Sequence, residues 1–585
     1  VDAADWLLID PLLAQGRLPH LASLLERGVR ADLHTLTPML SPLLWTSIAT
    51  GTTADRHGIL DFLTPDPSTG KMVPVTSALR REPALWNYLT QDGIDQAVIG
   101  WLATWPAETV TGHLVTDRFG FLAFAGASGG SREEGMTWPP EYVERARELE
   151  VDPTSLPPEF WRRFFDLPTR ELTGLGGGGY RKGDLVQNFA LTVATALTST
   201  AIAADLQRSP SPRFTAVYYE MIDAVGHLVM PYAPPRSPWI GEEDYHRYHR
   251  AMDAAYELQD ELLGRLLENI DPARTVVMVL SDHGMKSGGE RPAGSAEIEG
   301  GEAARWHRDP GVLVLAGPGL RRGTVLKEDA TLLDIAPTLL SILGLPIPAT
   351  LPGRVLTGAF DEEGSTRYAP TRVDTVVFRP EVWTPARLPE GGARGGPATA
   401  ALHNNLGLVL EAKGDLAGAE AEYRLALDAV QNDPNARNNI ASVLIKQQRF
   451  GPAEEILLRL RGEDPTAIPP AYNLGLLYLR TNRLAEAETA YRAVLAREPG
   501  HVKARIDLGH VLLRTGRNSE AEALFEEVIA EAPGEVNAHF GLGLVAAQTG
   551  NLERAKEEFR KTLALDPAHA SAARNLERLE TRTAP

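Results

Sequence analysis

The sequence runs to 585 residues, 43% hydrophobic and 23% charged, which is the composition of a soluble globular protein and too long for one core. No cysteine is present, so disulfides, thiolate metal sites and a cysteine nucleophile are excluded. The formal net charge of −19 divides into −15 on the first 400 residues and −4 from Ala401 onward, the wrong sign for a surface that binds long nucleic acid.

No uninterrupted apolar run reaches membrane-spanning length. The longest, Ala190 to Ala204, is interrupted by Thr and Ser and reads as a buried helix, so no transmembrane segment is expected. The cytoplasm is the favoured location. The start at Val1, with no initiating Met, reads as a truncated or processed N-terminus.

At the N-terminus, Val1-Asp2-Ala3-Ala4-Asp5-Trp6 reads as the end of a strand and a loop into a helix, with Asp2 at the sheet edge. Pro38 to Gly51 (PMLSPLLWTSIATG) follows. Ser41 reads as a helix N-cap, Pro42 as the first helical residue and Gly51 as the stop. Free backbone N–H groups at such a helix start, aligned with its dipole, can hold a phosphate against the serine hydroxyl. Thr46 is the weaker nucleophile candidate, because a hydroxyl inside a helix can fold back onto the backbone. His57 reads as a structural turn residue.

Gln96 to Leu102 and His113 to Asp117 read as further strands. Over residues 120–200 Pro, Glu, Arg and aromatic residues dominate, and Gly176 to Gly179 form a glycine run. This stretch reads as an inserted cap with a mobile hinge. Phe214 to Glu220 resumes the sheet and leads into Asp223 and His227, whose four-residue spacing lets both converge on one metal if the segment is helical. One long helix, Glu242 to Asn269, is expected before Val276 to Met285 (VVMVLSDHGM). That run reads as a buried parallel strand delivering Asp282 and His283 to its C-terminal edge, where ligands bind in open α/β sheets. An oxygen and a nitrogen ligand side by side suit a divalent metal such as zinc. His307 precedes an apolar strand, Gly311 to Ala316, and is placed to swing over the same site. A helix from Asp334 to Leu343 closes the domain near Phe360.

Taken in order, Asp2, the Ser41 helix start, Asp223-x-x-x-His227, Asp282-His283-Gly284 and His307 resemble the alkaline phosphatase superfamily, and within it the type I phosphodiesterase/nucleotide pyrophosphatase group, over residues 1–360. The resemblance implies an α/β fold, a sheet sandwiched by helices with the inserted cap. It also implies two divalent metals, zinc with manganese as the alternative. One would be held by Asp2, Ser41, Asp282 and His283, the other by Asp223, His227 and His307. The implied activity is phosphate ester hydrolysis of the phosphodiester or nucleotide pyrophosphate type, with Ser41 as nucleophile and a phosphoseryl intermediate. Two cations about 4 Å apart suit an in-line displacement because they stabilise both the attacking and the leaving oxygen. A central strand ahead of Asp2 belongs to the resemblance and is absent here, which would weaken folding or metal binding. Ser41 is followed by Pro-Leu-Leu-Trp, which disfavours a sulfatase. Alternatives are a catalytically inactive scaffold and a phosphotransferase or phosphomonoesterase on the same core.

Residues 361–399, including Pro389 to Pro397 (PEGGARGGP), read as a linker. From residue 400 a period of 34 appears: Gly407, Ala441, Gly475, Gly509 and Gly543 share one register. Ala419, Ala453, Ala487, Ala521 and Ala555 share a second, and Tyr423, Leu457, Tyr491, Phe525 and Phe559 a third. Pro465, Pro499, Pro533 and Pro567 close four of five units. This pattern resembles tetratricopeptide (TPR) repeats, two antiparallel helices per unit, with a capping helix over Ala568 to Thr581. It implies an all-α solenoid over residues 400–585 whose groove takes a peptide or protein partner.

Overall fold

The computed structural model describes residues 1–65, 72–119, 134–208, 211–292, 303–384, 396–532, 534–566 and 569–582. The chain forms two compact units, one of residues 1–287 with 294–414 and one of residues 288–293 with 415–585. Part of the expected cap, most of Pro389 to Pro397, and Pro533 and Pro567 lie outside the described residues.

The first unit is mixed α/β. Its main strands are β1 (Gly28–His34), β2 (Gln96–Ile99), β3 (Gly112–Val115), β4 (Thr137–Trp138), β5 (Phe214–Val217), β6 (Val277–Leu280), β7 (Gly311–Ala316) and β8 (Thr324–Val325). They form two sheets, ordered β8-β1-β7-β6 and β4-β3-β2-β5. Strand β2 runs parallel to both β3 and β5, whereas β7 is antiparallel to β1 and β6. Alternation along β7 shows why the sheet is covered on both faces. Val312, Val314 and Ala316 enter one core with Trp6, Leu24 and Phe189, while Leu313 and Leu315 enter another with Leu44, Trp45 and Ile335.

Strands β5 and β6 each end a sheet. Between them lies a cleft of about 1050 Å³, lined by Phe214, Ala216, Val277 and Val279 among others. Val1 and Asp2 bridge its end: the Val1 amine donates to the Leu280 carbonyl and the Asp2 N–H to the Tyr219 carbonyl, both at 2.8 Å. Alternate bonding to the two sides is the pattern of a strand lying between neighbours.

Four expectations are corrected. Residues from Leu185 onward are not cap but a 22-residue core helix, Leu185–Leu206, with Phe189, Val193 and Ile202 buried. This helix is long and apolar enough to cross a membrane, and 67% of its most apolar window is buried inside the unit. The glycine run is tied down rather than hinged. Gln187 accepts from the Gly176 N–H and donates to the carbonyls of Gly177 and Gly179. The long helix after residue 241 is two helices, Glu242–Tyr248 and Ala251–Leu267, separated by a turn with no Gly or Pro. Finally, residues 361–384 are packed on the first unit. Arg372–Val373 pairs with Ile347–Pro348, Phe378 packs edge-on to Tyr88, and Val382 is buried.

The helix Pro397–Ala412 also belongs to the first unit. Val409 joins its core, Asn405 donates to the Leu60 carbonyl and to Asp61, and Lys413 just beyond reaches Asp55 at 2.6 Å.

Among the described residues, the second unit holds ten α-helices, from Leu416–Ala429 to Ala570–Arg582, each packed mainly on its neighbours in sequence. The periodic residues explain the pairing. All five alanines of the second register and all five large residues of the third are fully buried. A Cβ on Gly475 would lie 2.6 Å from the Tyr491 ring, and one on Gly509 would lie 2.7 Å from Phe525. The aromatic ring of the second helix therefore needs a glycine on the first. In the repeat with Ala441 the residue at the ring's register position is Leu457, and both are fully buried.

Candidate metal centre

Six polar side chains from four separate segments meet at one end of the first unit. The helix Met221–Val229 follows β5 and carries Asp223 and His227 one turn apart. Gly226 lets this helix approach the next element, since a Cβ there would lie 2.2 Å from the Met285 sulfur. After β6 the chain turns through Ser281, whose hydroxyl accepts from the Ala4 N–H and donates to the His283 carbonyl. That fastens the loop carrying Asp282 and His283 to the N-terminal segment. His307 is positioned by a two-residue ribbon in which it pairs with Met285 and Arg308 with Gly284. Asp5 locks the ribbon. It caps the helix Trp6–Ala14, accepts from the Met285 N–H, and forms a buried ion pair with Arg308 at 3.0 Å.

The resulting contacts are close. His283 Nε2 lies 3.3 Å from Asp2 Oδ1 and 3.5 Å from Asp282 Oδ2. Asp223 Oδ1 lies 3.3 Å from both His227 Nε2 and His307 Nε2, which are 3.1 Å apart. The His283 and His307 rings stack with centroids 3.8 Å apart. Ligand atoms of Asp2, Asp282 and His283 form one triad within 4.8 Å of each other, and those of Asp223, His283 and His307 form another.

Hydrogen-bonding sense argues for cations here. The other ring nitrogens of His283 and His307 face the carbonyls of Gly284 and Met39, at 3.1 and 3.2 Å, so each Nδ1 is set to donate. Each Nε2 then turns a lone pair towards carboxylate oxygens. Among the described residues, Asp2 Oδ1, Asp223 Oδ1, both Asp282 oxygens and His283 Nε2 are buried without a hydrogen-bond partner. A tetrahedral zinc with ligands at about 2.1 Å holds them about 3.4 Å apart, so the donor set and its spacing fit such an ion.

Electrostatics divide the six. Burial pushes Asp282 well above the usual carboxyl range, and Asp2 beside it adds to the effect. Burial likewise raises Asp2, with Asp223 contributing. His283 is pushed down to about 3 by burial and by the neighbouring His307. Burial also penalises the Asp223 charge, but His227 and His307 outweigh it and hold the carboxyl well below its ordinary range. Side chains that burial would otherwise neutralise, facing one another without protons to share, are characteristic of ion-binding sites.

Ser41 is the first residue of the helix Ser41–Thr50, and Leu40 rather than Ser41 is its N-cap. The expected cap bond is absent, and the buried hydroxyl makes no hydrogen bond among the described residues. The helix start is anchored to the six residues from both sides. Trp45, one turn along the same face, donates to Asp2 Oδ2 at 3.0 Å, and the Met39 carbonyl faces His307. Tyr218 donates to the same Asp2 oxygen at 2.6 Å. Sequence reasoning missed Trp45, Tyr218 and Ser281, since an indole in an apolar helix and a phenol in a strand read as core. Thr46 is buried, and its hydroxyl has no hydrogen-bond partner among the described residues. His57 is structural, as expected: it bonds Ser47 at 2.9 Å and accepts from the Ile59 N–H.

The fold and this constellation define an alkaline-phosphatase-like phosphoryl-transfer domain joined to TPR repeats. The profile described as type I phosphodiesterase / nucleotide pyrophosphatase matches residues 1–319, and the chain belongs to that family. A tetratricopeptide repeat profile matches residues 392–436, 472–536 and 506–570. Among curated proteins, the 2,3-bisphosphoglycerate-independent phosphoglycerate mutase of Nostoc punctiforme (strain ATCC 29133 / PCC 73102) is 32% identical over 190 residues, 31% of this chain and 30% of that protein. That of Chromohalobacter salexigens is 36% identical over 105 residues, 18% of each chain. The chain thus spans under a third of the length of these relatives. Among solved structures, a thermophilic TPR protein of Thermus thermophilus is 20% identical, with 31% of this chain and 99% of that chain covered at a TM-score of 0.29.

Proposed function

We propose that the first unit hydrolyses phosphate esters, of the diester or nucleotide pyrophosphate type named by its family or of the monoester type, with Ser41 as nucleophile. The observation that carries the reading is the set of buried ligand atoms without a hydrogen-bond partner among the described residues, grouped in two triads and tied through Asp2 to Trp45 on the helix that Ser41 begins. Asp2, Ser41, Asp282 and His283 would hold one divalent ion, and Asp223, His227 and His307 the other, zinc or manganese on donor type. Such ions, when bound, supply positive charge to the phosphoryl, attacking and leaving oxygens. Ser41 Oγ attacks phosphorus, forming an Oγ–P bond as the ester P–O bond breaks, and the leaving alkoxide takes up a proton. Water then cleaves the phosphoseryl bond and frees Ser41. Trp45 and Tyr218 fix the Asp2 carboxylate, and the Gly284 and Met39 carbonyls fix the two imidazoles. A second reading, a phosphotransferase on the same core, is favoured by the phosphoglycerate mutase relatives. The repeats are proposed to bind a peptide or protein partner in their groove.

The test is hydrolysis of p-nitrophenyl phosphate and bis-p-nitrophenyl phosphate before and after chelation and restoration of zinc or manganese. Ser41→Ala is expected to abolish turnover and leave metal content intact. Full activity in Ser41→Ala, with loss in Thr46→Ala, would transfer the nucleophile to Thr46. No turnover of either ester in the metal-restored protein would leave an inactive scaffold.

A further inference from the structure

The repeats segregate charge between their two sets of helices. The first helices of the last four repeats are Pro434–Lys446, Ile468–Arg480, Val502–Arg514 and Val536–Gln548. Together they carry six cations and one carboxylate, Asp507. The three second helices between them, Phe450–Glu463, Leu484–Leu495 and Asn518–Glu531, carry ten carboxylates and three cations. Two of the six first-helix cations face that acid: Arg437 pairs with Glu463 and Arg505 with Glu531. The other four, Lys446, Arg480, Lys503 and Arg514, are exposed.

Successive first helices pack on one another more closely than successive second helices do, which puts the first helices on the inner side of the stack. One face of each first helix carries a stripe at four-residue spacing. Tyr472, Leu476 and Arg480 in one repeat recur as Phe540, Leu544 and Gln548 in another. The rings and leucines of the stripe are partly exposed, whereas Gly475 and Gly543 beside them are buried against second-helix rings. Neighbouring stripes touch. Tyr472 donates to Asp507 at 2.9 Å, and Arg514 donates to the Leu479 carbonyl at 3.2 Å and to Asn482 at 2.5 Å. Gln548 repeats the Arg514 bond on the Leu513 carbonyl. The last residues of the four helices, Lys446, Arg480, Arg514 and Gln548, thus form a row along one edge of the apolar stripes. Arg480 and Arg514 form no salt bridge among the described residues, whereas Arg483 and Arg517 each pair with a glutamate of the preceding repeat. Asp507 is the acid in electrostatic reach of Arg480, and burial raises its own pKa, so it offsets the row only in part.

We infer that this inner face binds an extended acidic peptide, whose carboxylates meet Lys446, Arg480 and Arg514 while its apolar side chains lie along the stripes. This inference rests on the reading of the repeats as a partner-binding module and names the partner's chemistry. Packed helix axes lie about 10 Å apart, the rise of about three extended residues, so acidic residues at every third position match successive members of the row.

The experiment measures binding of labelled peptides of repeated Glu-Leu-Ser, Gln-Leu-Ser and Lys-Leu-Ser to the whole chain by fluorescence anisotropy. Chelator is present throughout, so that the peptide carboxylates have no metal to bind. The acidic peptide is expected to bind about tenfold or more tightly than the neutral one, and to weaken about as much between about 0.05 and 0.5 M salt. Arg480→Glu/Arg514→Glu should weaken the acidic peptide about tenfold or more and tighten the Lys-Leu-Ser peptide. Arg480 makes no side-chain hydrogen bond among the described residues, so Arg480→Glu alone tests the row without disturbing the stack and should cost about threefold. Lys503→Glu, at the far end of its helix from Arg514, should change affinity by less than about twofold. Equal losses in Lys503→Glu and Arg480→Glu overturn the row. Equal binding of the acidic and neutral peptides overturns the acidic partner and leaves the repeats as a peptide-binding module, whereas binding of none of the three overturns both.

Discussion

The two units hold their residues in opposite ways. In the first, six side chains drawn from Asp2, Asp223, His227, Asp282, His283 and His307 converge only because strands, ribbon and loop fold together over some 300 positions. In the second, each helix answers to the next, and the same glycine–aromatic contact recurs every 34 residues. A network of distant residues gathers buried carboxyls at its centre, and among the described residues both oxygens of Asp282 lack a hydrogen-bond partner. A nearest-neighbour stack does not require this, and its charges pair locally: Arg483 with Glu454 and Arg517 with Glu488 repeat one bridge at the same spacing. One fold carries stored electrostatic strain at its site, and the other spreads stability evenly.

The sharpest way to expose that difference is Asp282→Asn. On the proposed reading it removes a ligand to one ion, so phosphate ester turnover is expected to fall about 10³-fold or more. The same change replaces a buried carboxyl that lacks partners by a neutral isostere. The metal-free protein should therefore become more stable, by about 1–3 kcal/mol. Paired measurements of kcat/KM and of thermal unfolding in chelator check both signs. Loss of stability alongside loss of activity would mean that Asp282 is held by the fold rather than waiting for a cation.

Chelation is next in size. All ten tryptophans lie at or before Trp383, so indole fluorescence reports the first unit alone, whereas helical ellipticity also reports the repeats. An ion that binds only the folded state stabilises by about 4 kcal/mol at a thousand times its dissociation constant. Removing metal should lower the fluorescence-detected midpoint and leave the repeat contribution at 222 nm unmoved. A common shift of both signals would break the comparison.

How much of this was legible beforehand follows from the same contrast. The convergence of these six side chains could be read because Asp and His at strand ends have few structural reasons to occur in that order. Their supports could not: Trp45 and Tyr218 look like ordinary core residues, and the indole N–H and phenol that hold Asp2 appear only in three dimensions. The break between Tyr248 and Ala251 was equally invisible, since no helix-breaking residue marks it. In the repeats, by contrast, nearly everything was legible, because the contact that makes the fold is also the period. Even the exception follows the period, with Leu457 in the ring's register where Ala441 replaces glycine.

Acid treats the two halves alike. His57 in the first unit is fully buried and pushed down to about 3 by burial and the nearby Arg81, and His510 in the repeats is pushed down to about 4 by burial. Each binds its proton more weakly folded than unfolded, where the ordinary value is near 6.5. The stability each contributes is complete above pH 6.5 and is lost as pH falls from there towards the folded value. The loss is about 1.4 kcal/mol per pH unit, or about 2 kcal/mol at pH 5. His57→Gln should flatten the pH dependence of the fluorescence-detected midpoint by one proton between pH 6.5 and 5. His510→Gln should leave that dependence unchanged and flatten the ellipticity-detected one.

The smallest effect lies where the contrast fails. The helix Pro397–Ala412 opens the 34-residue pattern, yet it packs with the first unit through Val409, Asn405 and the Lys413–Asp55 pair. Lys413 is substantially exposed, and a solvent-screened pair of this kind contributes about 0.2–1 kcal/mol. Lys413→Ala is therefore expected to lower the fluorescence-detected midpoint slightly at low salt and negligibly at high salt, because screening removes the interaction without touching the packing. Val409→Ala, which opens a hole in the apolar core, should cost more and be insensitive to salt. If both variants left the fluorescence midpoint unmoved and altered only the ellipticity of the repeats, this helix would belong energetically to the solenoid that its sequence period announces.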